Sequence, residues 1–162
     1  PNDVAAKRTS DNLTDAVLGV ALAARALERQ LGELTLAQLR ILSLVDADPG
    51  RAGALADRAA MSRPTLSGLI DGLVNRGWVE RHLVSGDRRG VTLRVTPAGS
   101  VALAQALDEA GQALAALLGE MPADRRSEVV EALGALRQAA HDRFRPRPTS
   151  AAAGAPGQAE QA

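Results

Sequence analysis

Hydrophobic positions along most of the chain recur every three or four residues, which is the period of an amphipathic α-helix. Leu13, Val17 and Val20 begin one such series, and Leu66 and Ile70 belong to another. Polar residues, glycines and prolines separate the series from one another. The spacing predicts helices over residues 13–31, 36–47, 52–59, 63–76, 97–120 and 123–144.

Polar residues that can cap a helix precede four of these segments. We expect Asn12 to begin the first helix and the polar residues before it to be frayed. Thr35, with Gln38 three positions later, matches the capping box, in which each side chain bonds the backbone N–H of the other residue. Ser62 and Thr96 precede two helices with proline in the first turn, where its missing N–H costs nothing.

The period changes to two in one short stretch. Val91, Leu93 and Val95 alternate with polar residues, as in a strand with one buried face. Residues 78–84 form a less regular strand pattern, and residues 85–90 are rich in glycine and polar turn formers. The two segments are predicted to form one β-hairpin with arginines in its turn.

Composition supports a mainly α fold of the α+β class. The chain holds 33 Ala and 23 Leu against 12 Val and 2 Ile, and alanine and leucine favour helix over sheet. The absence of Cys excludes disulfides, thiolate metal sites and cysteine redox sensors. No apolar run approaches the roughly 20 residues that a membrane span needs, so we expect a soluble, cytoplasmic protein without a membrane partner.

Residue types that carry catalysis or bind metal do not come together in the sequence. The two histidines, His82 and His141, have no further histidine or cysteine at the spacing of metal ligands. There is no G-x-S-x-G motif, and the only lysine, Lys7, lies outside any phosphate-binding loop pattern. We therefore expect no enzymatic activity, no metal and no cofactor.

The formal net charge is zero, but the charges are unevenly distributed. Residues 51–99 contain eight arginines and four acidic residues, which gives this segment a charge of +4 and the remainder −4. A basic module in an otherwise acidic chain is typical of a face that binds a polyanion, although an imbalance of this size also arises by chance.

The predicted elements are ordered as a helix-turn-helix followed by a hairpin, which is the order of a winged helix-turn-helix. The apolar spacing of the second helix leaves these donors facing outward at its start: Ser62, Arg63, Thr65 and Ser67. Hydroxyl and guanidinium groups can meet phosphates and base edges, and Arg88 and Arg89 on a narrow hairpin can reach a minor groove. Without this arrangement the same residues would be ordinary solvated surface.

Two stretches carry a resemblance to a known family. SRPTLSGLIDGL at 62–73, followed by RGWVER at 76–81, resembles the recognition helix and first wing strand of the MarR family. DRRGVTLRVTPAG at 87–99 is similar to that family's D-x-R motif and its following L-T-x-x-G, with Val95 in place of the leucine. The resemblance extends over about residues 10–145.

The resemblance implies a homodimeric winged helix-turn-helix regulator that binds double-stranded DNA at a pseudo-palindromic operator. In this family the terminal helices form the dimer, the recognition helices enter major grooves and the wings reach minor grooves. Asp87 would orient the wing, and Arg89 together with Arg88 would contact DNA. The positions that would read the operator are Ser62, Arg63, Thr65 and Ser67. Most members repress transcription until a small, often phenolic, ligand or an oxidant releases the DNA.

The chain departs from the family pattern in ways that affect function. Gly68 stands where many members place a basic residue, so one common DNA contact is missing. Without cysteine the family's oxidation switch is excluded, and the effector stays unknown. The alternative interpretation is a winged-helix protein-interaction module that does not bind DNA.

These predictions divide the chain into four parts. They are an N-terminal arm and dimerisation helix (1–34), a winged helix-turn-helix domain (35–99), C-terminal dimerisation helices (100–145) and a disordered tail (146–162). The three long helices carry more apolar surface than a small winged module can cover. Intertwining two chains about a two-fold axis would bury the surplus.

Overall fold

The computed structural model describes residues 2–83 and 91–144, without the side chains of residues 2–10 and 51–53. In chain order the described elements are α1 (Asn2–Glu28), α2 (Leu36–Ala47), β1 (Gly50–Arg51), α3 (Ala52–Ala59), α4 (Arg63–Asn75), β2 (Val79–Leu83), β3 (Val91–Val95), α5 (Pro97–Gly119) and α6 (Ala123–Phe144). The mainly α prediction is confirmed. The predicted hairpin turn and C-terminal tail lie outside the described residues.

Three of the four predicted helix starts are confirmed by their hydrogen bonds. In the capping box of α2, the Gln38 N–H donates to Thr35 Oγ1 and the Thr35 N–H donates to Gln38 Oε1, both at 3.1 Å. Ser62 caps α4 and Thr96 caps α5, each accepting a backbone N–H from the third residue of its helix. Local sequence therefore determines where these helices begin.

The prediction for α1 is wrong at its start. The helix begins at Asn2, so Asn12 lies inside it and does not act as a cap. Residues 3–11 contain no glycine or proline and include alanine and long charged residues, all of which continue a helix readily. The prediction gave too much weight to one capping residue in a segment that contains no helix breaker.

The sheet has three strands, with β3 between β1 and β2, and both pairings are antiparallel. The predicted hairpin strands are confirmed, and their register aligns Val79 with Val95 and Leu83 with Val91. Leu93 at the centre of β3 is buried. The two-residue strand β1 was not predicted, because only its pairing with β3 makes it a strand.

The hydrophobic core lies within the predicted winged module. Its largest fully buried side chains come from α2, α4 and β3: Ile41, Leu42, Val45, Leu73 and Leu93. Leu103 and Ala106 of α5 close this core from one side. In contrast, α6 buries none of its residues against its own chain. The described chain thus combines a packed module with helices that extend from it.

The L-T-x-x-G segment joins the hairpin to α5. Thr96 Oγ1 donates to the Gly77 carbonyl at 2.6 Å, and the Thr96 N–H donates to the Trp78 carbonyl at 3.0 Å. A Cβ added at Gly99 would overlap the Trp78 backbone carbonyl, so only glycine fits there. Gly77 itself has φ +70°, a left-handed conformation that favours glycine. These contacts fix the end of α4 and the start of β2 against the long helix α5.

Candidate nucleic-acid interface

A tight turn between α3 and α4 sets the angle of the second helix. Ala60 adopts φ +50° in this turn, and the Met61 N–H donates to the Ala56 carbonyl. The Arg40 guanidinium on α2 donates to the Ala59 carbonyl at 2.6 Å, which ties the turn to α2. The two helices and their turn form a helix-turn-helix, as the sequence predicts.

The two faces of α4 differ in burial as predicted. Leu66, Ile70 and Leu73 pack into the core. The four predicted contact residues on the other face are all exposed: Ser62, Arg63, Thr65 and Ser67. The structure brings these four donors together over the first turns of one helix, where the unpaired backbone N–H groups also favour an anion.

Two of these hydroxyls are partly occupied by the cap. Ser62 Oγ lies 2.8 Å from Thr65 Oγ1 and accepts the Thr65 N–H at 3.3 Å. Each hydroxyl keeps further acceptor capacity, because its oxygen carries two lone pairs. Arg63 and Ser67 line a different feature, the cleft between α4 and the hairpin.

Three predicted site residues, Asp87, Arg88 and Arg89, lie outside the described residues. The strands that lead into and out of their segment, β2 and β3, are described and pair along their whole length. Their position beside α4 is that of a wing.

One ion pair between α4 and the hairpin was not recognised in the sequence. Arg81 Nη2 on β2 lies 2.5 Å from Asp71 Oδ1 on α4. The two residues are ten positions apart and meet only because the chain reverses at Gly77. Neither helical nor strand periodicity could have revealed this contact, although the charge asymmetry of residues 51–99 already marked the region as basic.

The position of Gly68 on α4 is exposed and open. A Cβ added there would meet no atom within 4 Å. The outward face of α4 therefore has a gap between the donors at its start and the ion pair at Asp71.

Metal binding and membrane insertion can also be assessed from the described residues. Among the described side chains, no group of three or more His, Asp or Glu residues could hold a metal ion. No helix within the described ranges is long and apolar enough to cross a membrane. Arg76, which ends α4, lies over the Trp78 ring at 5.2 Å from its centroid and is engaged in a cation–π contact.

Comparisons with known proteins agree with this arrangement. The model of the MarR family matches residues 33–90, a segment that includes α2, α3, α4 and β2 and ends just before β3. A search of the curated proteins gives no significant match. The fold is similar to apo MarR from E. coli, with 25% identity and a TM-score of 0.66 over 76% of this chain and 96% of that one.

Two further solved structures extend the comparison. A MarR variant from E. coli complexed with operator DNA is 25% identical, with a TM-score of 0.63 over 77% of this chain and 93% of that one. The transcriptional regulator BldR from Sulfolobus solfataricus shares the fold at 21% identity, with a TM-score of 0.64 over 81% of this chain and 96% of that one. Over residues 33–90 this chain is therefore similar to the MarR family of transcriptional regulators, and its fold is similar to that of the solved MarR structures.

Proposed function

We propose that this protein is a sequence-specific regulator of transcription that binds double-stranded DNA as a homodimer and represses until a small ligand releases it. The observation that carries the proposal is the exposed row of donors on α4 beside the β2–β3 hairpin. A MarR structure of this fold is complexed with operator DNA. The proposed DNA contacts are Ser62, Arg63, Thr65, Ser67, Arg88 and Arg89, with Asp87 orienting the wing.

The terminal helices support a homodimer. On α1, Leu13, Val17 and Leu22 are 63%, 67% and 72% exposed. On α6, Val130 and Leu136 are each more than half exposed, and no residue of that helix is buried in its own chain. In proteins most of the stability of a helix comes from packing of its apolar face, so the exposed apolar side chains of α1 and α6 need a partner surface. A second copy of the chain supplies the same apolar faces, and a two-fold dimer would read two half-sites about one helical turn apart.

A cavity of about 690 Å³ supports a small-molecule effector. It lies between α2, α3, α5 and the end of α6, so a ligand there would touch both the winged module and the proposed dimerisation helices. Its lining combines apolar side chains such as Leu39 and Phe144 with the cationic or ionisable groups Arg40, Arg58, Arg137 and His141. No carboxylate belongs to the described lining, and this composition suits a small organic anion.

One observation favours the alternative of a protein-interaction module. Gly68 leaves the middle of the exposed α4 face without a side chain, which weakens a helix built to read DNA. Under this alternative the exposed face of α4 would bind a protein instead of a duplex.

Titration of the full chain into DNA separates the two proposals. The probes are a duplex enriched by the protein itself from a random-sequence pool and an unselected duplex of equal length, each at several salt concentrations. A regulator prefers the enriched duplex, and its log K falls linearly with log salt because bound counterions are released. An enriched duplex should contain two inverted half-sites. Absence of salt-dependent binding to either duplex contradicts the proposed function and supports the interaction module.

A further inference from the structure

The cleft between α4 and the hairpin is lined by donor groups that can bind a phosphate. It has a volume of about 310 Å³, with a floor of buried apolar side chains that include Leu66, Ile70 and Leu93. Its polar lining consists of Arg63, Ser67 and Arg81, all of them exposed donors. No acidic residue belongs to the described lining, and the nearest carboxylate named here, that of Asp71, is paired with Arg81.

The position of the cleft determines what passes through it when DNA is bound. If α4 enters a major groove and the hairpin reaches the adjacent minor groove, a sugar-phosphate backbone separates the two grooves. That backbone must cross the space between the helix and the hairpin. An arginine in this space therefore faces phosphate groups and not base edges.

The strand register directs Arg81 into this cleft. Arg81 pairs with Leu93, and residues directly opposite each other on antiparallel strands project from the same face of the sheet. Leu93 is buried against α4 and its neighbours, so Arg81 projects from the side of the sheet that faces α4. Glu80 and Arg94 form the next pair and project from the other face.

Asp71 holds the Arg81 guanidinium by one contact, at 2.5 Å from Nη2. The guanidinium has five N–H donors, so this contact leaves donors for an anion in the cleft. Both side chains are about half exposed, and an exposed ion pair adds little to folding stability. The main consequence of the ion pair is therefore that it fixes the position of the Arg81 guanidinium.

We propose that Arg81 contacts a phosphate of the DNA backbone between the major and minor grooves, and that Asp71 is the positioning residue that aims it there. This inference rests on the proposed DNA-binding function and adds a contact that the recognition helix and the wing turn do not contain. Asp71 acts through Arg81 and makes no DNA contact of its own.

The test measures the salt dependence of binding to the enriched duplex for the full chain and for Arg81→Gln. Each phosphate contact contributes about 0.9 to the slope of log K against log salt, so the slope should become shallower by about 0.9 per protomer. Between about 50 and 200 mM salt, the fold-loss in affinity of Arg81→Gln should therefore be about 3.5 times smaller per protomer than that of wild type. Arg94→Gln is the matched control, because it removes the same charge from the opposite face of the sheet and should keep the steeper slope.

Asp71→Asn distinguishes positioning from simple masking of charge. If Asp71 positions Arg81, the variant binds DNA more weakly although a negative charge has been removed, and Asp71→Asn/Arg81→Gln binds no worse than Arg81→Gln alone. Tighter binding by Asp71→Asn, or additive losses in the double variant, overturns the positioning role. Thermal unfolding followed by Trp78 fluorescence checks that every variant is folded.

The outcome for wild type separates this inference from the proposed function. If wild type shows no salt-dependent binding, the proposed function fails. If wild type binds and Arg81→Gln has the same slope as Arg94→Gln, only the phosphate contact of Arg81 is refuted.

Discussion

At the scale of single residues, the interface divides into positions that local sequence reveals and positions that only the fold reveals. Ser62, Arg63 and Ser67 could be predicted as exposed, because the apolar spacing of one helix determines which residues face outward. The pairing of Arg81 with Asp71 could not, because it depends on how β2 returns along α4. Pairings of this kind come from tertiary geometry, which no local pattern contains.

Gly68 offers a direct test of which surface of α4 faces DNA. Gly68→Lys places a charged side chain into open space, since a Cβ there meets no atom within 4 Å. We expect tighter DNA binding and a salt slope steeper by about 0.9 per protomer. Titration of the enriched duplex at several salt concentrations measures both quantities.

Gly68→Ala is the control for the effect of this substitution on the helix itself. Replacing a mid-helix glycine with alanine stabilises a helix by about 1 kcal/mol, and lysine gives most of that gain. Both variants should therefore raise the melting temperature, by about 2–4 °C for a chain of this size. If the lysine and alanine variants bind DNA equally, position 68 does not face the duplex.

At the scale of helices and strands, an element could be predicted when the interactions that define it lie close together in the sequence. The starts of α2, α4 and α5 were predicted because the side chains of Thr35, Ser62 and Thr96 each accept a hydrogen bond from the backbone N–H three residues later. The start of α1 was wrong because a continuous helix needs no signal at Asn12. Strand β1 was missed because a two-residue strand exists only through its partner β3.

The hydrogen bonds of one carboxylate predict that stability depends on pH. The Glu109 carboxylate on α5 accepts a hydrogen bond from the Gln105 side chain at 3.0 Å and another from the Gly32 N–H at 3.1 Å, which fastens α5 to the turn between α1 and α2. The bond from Gln105, followed by the bond from Gly32, lowers the pKa of Glu109 below its ordinary value, against a smaller opposing effect of burial. A lowered pKa in the folded state means that ionised Glu109 stabilises the fold above the pKa of the unfolded chain. This contribution is lost as the pH falls through the folded-state pKa.

We expect Glu109→Gln to be less stable than wild type near neutral pH, with a difference that disappears in acid. Denaturant unfolding of both proteins from neutral pH down to about pH 3 measures this difference across the range in which carboxylates titrate. Asp108→Asn is a suitable control, because Asp108 bonds Gln112 within α5 and does not reach the turn. A difference between wild type and Glu109→Gln that stays constant with pH would show that ionisation of this carboxylate does not stabilise the fold.

At the scale of the whole molecule, polar and apolar surfaces occupy different regions. The predicted DNA-binding module buries a core of its own, whereas α1 and α6 expose rows of large apolar side chains. Exposed apolar side chains in such numbers support the proposed dimer interface. The zero net charge of the chain hides a second division, between a basic module and acidic remaining segments.

The apolar surface predicts how the assembly and DNA binding are linked. Leu136→Glu places a charge on α6 at a side chain that is 56% exposed in the single chain, where the substitution costs little, but that we expect to be buried in the proposed dimer. We expect the variant to be monomeric by light scattering after gel filtration and to bind the enriched duplex far more weakly, because one protomer reaches one half-site only. Leu83→Glu is the matched control, since Leu83 is even more exposed but lies on the hairpin, away from α1 and α6. The control should keep the dimer mass, and a dimeric Leu136→Glu would show that α6 does not contribute to the interface.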